Sequence, residues 1–247
     1  MAMPIYVPPE QRLKDMADYA RRGIARGRPT IVLEYDKGIL FVADNLSTHL
    51  RKIGELYDRI AFAAVGRFSE FETLRQAGVR LADIRGYAYG REDVTSRAIA
   101  NAYSQTLGQV FQQEPKPFEV ELCVAEIGED DDAPNALYHL SFDGTVVNPK
   151  GWLAMGGQAE AINEALKGAY VEGWDLDSAL RAAVNALRRA GGTPAKANGA
   201  DADGGGSRLE VAVLARGIGR RAFRRLSEED VLARLEQPSE PSGSAST

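Results

Sequence analysis

The 247-residue sequence predicts an α+β protein, a four-layer αββα sandwich of two antiparallel sheets between helical layers. Apolar, β-branched runs flank turns too short for a crossover, Asp36-Lys37-Gly38 and Asp143-Gly144, so the strands they join pair antiparallel. Amphipathic helices arrive in pairs between groups of strands, which suits helical layers covering sheets from outside. Apolar residues make up 44% and charged residues 26% of the chain, enough to build a sizeable core and to exclude disorder throughout.

The elements follow in order. Residues 1–9 hold three prolines and read as an extended arm. A helix is expected over Glu10–Gly27, with Leu13, Met16, Ala17, Ala20 and Ile24 on one stripe. The hairpin Thr30–Tyr35 and Ile39–Ala43 follows, then a strand over Ile60–Val65. Ser69-Glu70-Phe71-Glu72 has the spacing of a capping box and opens the next helix. Asp93 can cap another, whose face carries Ile99, Ala102, Tyr103, Thr106 and Val110. Phe118–Ile127 is a strand, and Leu137–Phe142 with Thr145–Val147 a second hairpin. Gly156-Gly157 precedes a helix over Ala159–Val171, and Asp175 or Asp177 caps one running to about Ala190. Residues 191–207 form a low-complexity loop. Strands at Leu209–Ala215 and Arg221–Leu226 lead to a last helix capped by Ser227-Glu228-Glu229-Asp230. Three parts result: the arm 1–9, a domain 10–236 containing the loop 191–207, and an apolar-poor, disordered tail 237–247.

A formal net charge of −5 argues against a general nucleic-acid binder. The single cysteine, Cys123, cannot form an internal disulfide, which fits a reducing compartment. No apolar run reaches the roughly 18 residues that span a bilayer, and the first residues do not resemble a signal peptide, so a cytoplasmic protein is expected. His49 and His139 are the only histidines and lack metal-ligand spacing; no metal or cofactor is expected. No nucleophile elbow is present. Cys123 reads as a buried strand residue, Gly156-Gly157 as a tight turn, and the basic run Arg220–Ser227 as a solvated strand face or subunit contact. Lys52 in HLRKIGELYD is open to two readings, a solvated surface lysine or a cation that awaits a carboxylate.

Four segments carry a resemblance: DYARRGIARG (18–27), RKIGELYDRIAFAAVGRF (51–68), RGYAYGREDVT (85–95) and FEVELCVAEI (118–127). Together they resemble the α subunits of bacterial, actinobacterial-type 20S proteasomes, from the arm to about residue 235. The resemblance implies the Ntn-hydrolase-like form of the αββα sandwich, which the catalytic β subunits share. In those, an acid ends the second strand sixteen positions after the nucleophilic threonine. Asp44 matches the acid, and counting back sixteen reaches Arg28, preceded by Gly27, with Thr30 two residues further on. Arginine has no attacking oxygen, and an N-terminal threonine needs its own free amine as base. The resemblance thus implies no catalytic residue here, but a non-catalytic part of a threonine-type endopeptidase complex for protein degradation. It further implies a homo-heptameric α ring that templates assembly with β subunits. Pro4, Ile5, Tyr6, Val7, Pro8 and Pro9 would gate the pore through which protein substrates enter. Lys52 would dock the C-terminal carboxylate of a ring-shaped ATPase or other activator. The rival readings are a self-processing N-terminal-nucleophile amidohydrolase of the same fold and a stand-alone ring or adaptor.

Overall fold

A computed structural model describes residues 8–130, 133–191, 208–217 and 219–236. Pro4, Ile5, Tyr6 and Val7 of the expected gate, nearly all of the loop 191–207 and the tail 237–247 lie outside the described residues. The order is α1 (Pro9–Ala25), β1 (Thr30–Tyr35), β2 (Gly38–Asp44), β3 (Ile53–Tyr57), β4 (Ile60–Gly66), α2 (Phe68–Ala88), α3 (Ser96–Gln113) and β5 (Val120–Glu126). It continues with β6 (Ala136–Leu140), β7 (Val146–Val147), β8 (Trp152–Met155), α4 (Ala159–Lys167), α5 (Leu176–Arg189), β9 (Leu209–Ala215), β10 (Phe223–Arg225) and α6 (Glu228–Glu236). One sheet has the strand order β10-β9-β2-β1-β8 and the other β3-β4-β5-β6-β7. All recorded pairings are antiparallel.

Alternation along the strands builds the four layers. On β1 and β2, Ile31, Leu33, Leu40 and Val42 face α4 and α5, where they meet Ile162, Leu166, Leu180 and Val184. The intervening Val32, Ile39, Phe41 and Ala43 face the other sheet and meet Ala61, Ala63, Val65 and Cys123. The far side of β4 sends Phe62 and Ala64 against Leu74, Ile99 and Leu107 of α2 and α3. Because both faces of each sheet are covered, the central strands read as continuous apolar runs rather than as alternating ones. Alanines and Cys123 line much of the seam between the sheets.

The expected sandwich is present, with local differences. Two strands were not foreseen. Ile53–Tyr57 pairs with β4 and Trp152–Met155 with β1. Thr95, not Asp93, caps α3, its hydroxyl accepting from the Ala98 N–H at 3.3 Å. Arg67 precedes α2, and no side chain caps it. Ser69 lies inside that helix, and Glu72 reaches forward to Arg75 (2.9 and 2.7 Å) instead of back to the helix start. The box at α6 does form: Ser227 Oγ accepts from Asp230 N at 3.0 Å while Asp230 Oδ2 accepts from Ser227 N at 3.3 Å. Asp175 caps α5 through Ser178 N at 2.7 Å, and these bonds hold its carboxyl below the usual carboxylate range. The helix α4 stops at Lys167, four residues before Val171.

The Asp143-Gly144 turn rests on α3. Ser104 Oγ donates to Gly144 O at 2.6 Å. Gly144 has φ +86°, and a Cβ there would lie 2.5 Å from Ser104 O and 2.8 Å from Gly108 N. Backbone on both sides leaves no soft neighbour to move. Gly144→Ala is expected to lower stability by roughly 2 kcal/mol, from left-handed strain and the clash together. Urea unfolding of variant and parent under identical conditions measures the difference; a loss below a few tenths contradicts it.

Candidate functional site

The register of the β1–β2 hairpin places the first pair of residues. The two-residue turn Asp36-Lys37 sets Tyr35 opposite Gly38 and, five steps on, Thr30 opposite Ala43. One step beyond, Asp44 N donates to Pro29 O at 3.0 Å. Asp44 is thereby carried beside Arg28, whose Nη1 reaches both carboxylate oxygens at 3.0 and 2.9 Å. The Asp44 side chain is 7% exposed and that of Arg28 35%. The sixteen-residue spacing is therefore spanned by an ion pair. Thr30 is a ladder residue flanked by Ala43 and Met155, and its buried hydroxyl faces neither a base nor solvent. Helix α1 precedes it, so its amine is a peptide nitrogen.

The segment between β2 and β3 brings in Lys52. Asn45 Oδ1 accepts from Ser47 N at 3.0 Å and Ser47 Oγ from Leu50 N at 2.9 Å, two local turns that fold the loop. Lys52, at the head of β3, is half-buried and its Nζ donates to Arg28 O at 2.6 Å. Burial pulls its pKa down to about 8; Asp44 and Glu210 oppose that shift and Arg28 adds to it. Lys52 is thus not the fully solvated lysine of one reading. It belongs to the same cluster as Arg28 and Asp44.

Two further charged members, Glu210 and Arg225, were not foreseen in the sequence. Glu210 on β9 is 5% exposed and accepts from Asn45 Nδ2 (2.8 Å), Lys52 N (2.9 Å), Ile53 N (3.3 Å) and Arg225 Nη1 (2.7 Å). Arg225, on β10, also donates to Ile53 O. A carboxylate inside the apolar run LEVAVLA was the available signal, because a strand covered on both faces has no solvent for it. The cluster holds three cations, Arg28, Lys52 and Arg225, against two carboxylates, Asp44 and Glu210, and so carries one excess positive charge. It contains no nucleophile with a free base and is suited to attract an anion.

The remaining candidates resolve separately. Cys123 is fully buried between Ala63 and His139, and burial pushes its thiol well above the ordinary value. His139 Nε2 lies 2.6 Å from Glu121 Oε1, whose other oxygen accepts Gly156 N at 2.9 Å. Among the described residues no group of three or more His, Cys, Asp or Glu side chains could hold a metal ion. Ala159 N donates to Gly156 O at 3.3 Å, the local bond of the expected strand-to-helix turn, and Gly157 N ties that turn to Gly27 O at 2.9 Å. The basic run is not simply a solvated face: Arg221 binds Glu55 and Arg225 enters the cluster. Pro8 and Pro9 sit at the start of α1, where proline is tolerated. Among the described residues no helix is long and apolar enough to cross a membrane.

The depressed Lys52 pKa gives a signed pH dependence. Between pH 8 and its ordinary value of 10.5 the unfolded chain binds the proton that the folded chain has lost, so this group's contribution to stability rises with pH. Its cost is present in full below pH 8, on the order of 3 kcal/mol. Lys52→Met is therefore expected to gain most on the parent below pH 8, with the gap narrowing from pH 8 to 10.5. Denaturant unfolding at several pH values checks this; a gap constant with pH contradicts it.

The family profile described as "Proteasome subunit" matches residues 24–203. A proteasome subunit alpha of Thermomonospora curvata is 57% identical over 92% of this chain and 94% of its own length. The proteasome subunit alpha of Thermobifida fusca is 53% identical over 96% and 92%, and that of Streptosporangium roseum 51% over 100% and 92%. The antiparallel two-sheet sandwich and these matches agree. The chain belongs to the proteasome subunit family, in its α-type branch.

Proposed function

We propose that this chain is the non-catalytic α subunit of a cytoplasmic 20S proteasome, working in intracellular protein degradation. It forms the outer homo-heptameric rings, templates assembly with β subunits, gates substrate entry and docks the C-termini of a ring-shaped ATPase or other activator. The observation that carries the docking role is the excess positive charge of the Lys52 cluster. A half-buried ammonium beside a neutralised ion pair suits a single incoming carboxylate better than a diffuse anionic surface.

Surface features support the assembly roles. Helix α1 buries Met16, Ala20 and Ile24 against its own domain while Leu13 and Tyr19 stay 42% and 46% exposed. A groove of about 400 Å³ between α1 and the Pro115–Pro117 turn gives a neighbouring α subunit somewhere to seat. At the end of α2, Ile84, Tyr87 and Tyr89 are exposed, an apolar patch of the kind that subunit contacts cover. The gate comprises Pro4, Ile5, Tyr6, Val7, Pro8 and Pro9; Pro8 and Pro9 root it at the start of α1, and Pro4 lowers the entropy cost of ordering the arm.

Lys52→Ala is expected to weaken docking by about 2 kcal/mol per site, roughly 30-fold, as loss of one partner of a half-buried charge pair does. Titration of an activator against rings of variant and parent measures it, and equal affinities would remove Lys52 from this role. Deletion of residues 1–7 is expected to raise hydrolysis of a fluorogenic peptide by the assembled α–β particle several-fold without activator. Unchanged basal hydrolysis would show that the arm does not obstruct entry.

A further inference from the structure

Between β2 and β3 the chain runs through eight residues of loop, and its two leucines, Leu46 and Leu50, are 47% and 49% exposed and do not anchor it. Backbone bonds hold its two ends, Asn45 N to Arg208 O at 2.8 Å and Ala64 N to Lys52 O at 3.0 Å, and one side chain from the other end of the sequence joins them. The Glu210 carboxylate comes from β9, where its backbone pairs with Ala43. It accepts four hydrogen bonds: the Asn45 amide at the start of the loop, the backbone N–H groups of Lys52 and Ile53 at its end, and the Arg225 guanidinium. Both ends of the loop are thus tied to the same anion, and Asn45 Nδ2 adds a bond to Leu50 O at 2.8 Å within the loop. A carboxylate that is 5% exposed tolerates burial only with its lone pairs filled, and here they are filled largely by this loop.

We propose that Glu210 is the positioning residue of the Lys52 site: it fixes the loop from which Lys52 extends and, with Asp44, balances its charge. The functional consequence rests on the reading of Lys52 as the docking cation. Around the Lys52 ammonium the charged groups are Arg28 ahead of β1, Asp44 at the end of β2 and Glu210 on β9. Arg225 on β10 is paired to Glu210, and His49 and Arg51 lie on the loop itself. Asp44 already serves Arg28 at 2.9 Å. Glu210 is likewise paired to Arg225 but alone of the two also accepts from the Lys52 and Ile53 N–H groups, so it is the carboxylate through which a change at β9 or β10 reaches Lys52, although it touches no docked group itself.

The test reads Lys52 directly, without any activator. Full-length parent and Glu210→Gln are labelled at Lys52 with trace acetic anhydride across pH 6 to 11, and the modified fraction is followed by mass spectrometry to give its titration midpoint. Loss of the negative charge is expected to move that midpoint down by about one pH unit. A role confined to packing would leave the midpoint in place or, by opening the loop to water, raise it; either result overturns the proposal. Should the single variant leave Arg225 unpaired and fail to fold, Glu210→Gln/Arg225→Gln removes both charges of the pair and is expected to show a smaller downward shift, because loss of the more distant Arg225 cation offsets part of the loss of the anion; no downward shift there overturns the proposal. Docking affinity of Lys52→Ala, measured separately, tests the docking reading. If that variant binds as the parent does, the docking reading fails while the midpoint still decides the role of Glu210.

Discussion

The hairpin register between β1 and β2 is the constraint on which both the core and the site depend. Side chains alternate faces along a strand, so a slip of one residue would turn Ile31 and Leu33 from the α4–α5 layer into the seam and Val32 out of it. The same slip would separate Asp44 from Arg28 and remove the carbonyl to which Lys52 is bonded. Two residues of turn, Asp36 and Lys37, thus settle a polar arrangement at the opposite end of the strands. β9 extends the register on the other side of β2, setting Glu210 opposite Ala43, one residue from the acid it works beside.

Much of this was legible in the sequence because local signals and global packing agree. Tight turns at Asp36-Lys37 and Asp143-Gly144 indicated the antiparallel hairpins, and the count of sixteen residues from Asp44 back to Arg28 placed an arginine where a nucleophile would stand; that the two residues form an ion pair emerged only from the structure. What escaped were elements that tertiary pairing creates. IGELY contains Gly54 and Glu55 and has little strand propensity of its own; it is a strand because β4 offers it a ladder. WLAM is only four residues long and completes the sheet beside β1.

The two capping-box patterns make the same point from opposite sides. Ser227 and Asp230 find no stronger partners and close on each other. Ser69 and Glu72 do not, because Glu72 binds the Arg75 fork one turn along and Glu70 is taken by Lys116 Nζ and Glu119 N, both at 2.7 Å. At the Lys52 site, the sequence held every ingredient but not their meeting. Lys52 and Glu210 are 158 residues apart, and only the packing of β9 on β2 brings them together.

Helix α1 has an uneven attachment. Its buried residues, Met16, Ala20 and Ile24, all lie in the later turns, and residues 9–15 are exposed throughout. Gly23 lets the later part sit close on Glu119, since a Cβ there would fall 2.1 Å from Glu119 Oε2. The helix is consequently a cantilever, clamped at one end and only lightly held at the other, where Arg12 Nη2 donates to Glu114 O at 3.4 Å. From Ile24 to Pro9 it spans about 22 Å. A tilt of about 5° at the clamp would carry its tip some ~2 Å with no hydrogen bond of the helix broken. Small adjustments of packing at Gly23 and Glu119 are thus magnified geometrically at Pro8, where the chain's first residues begin.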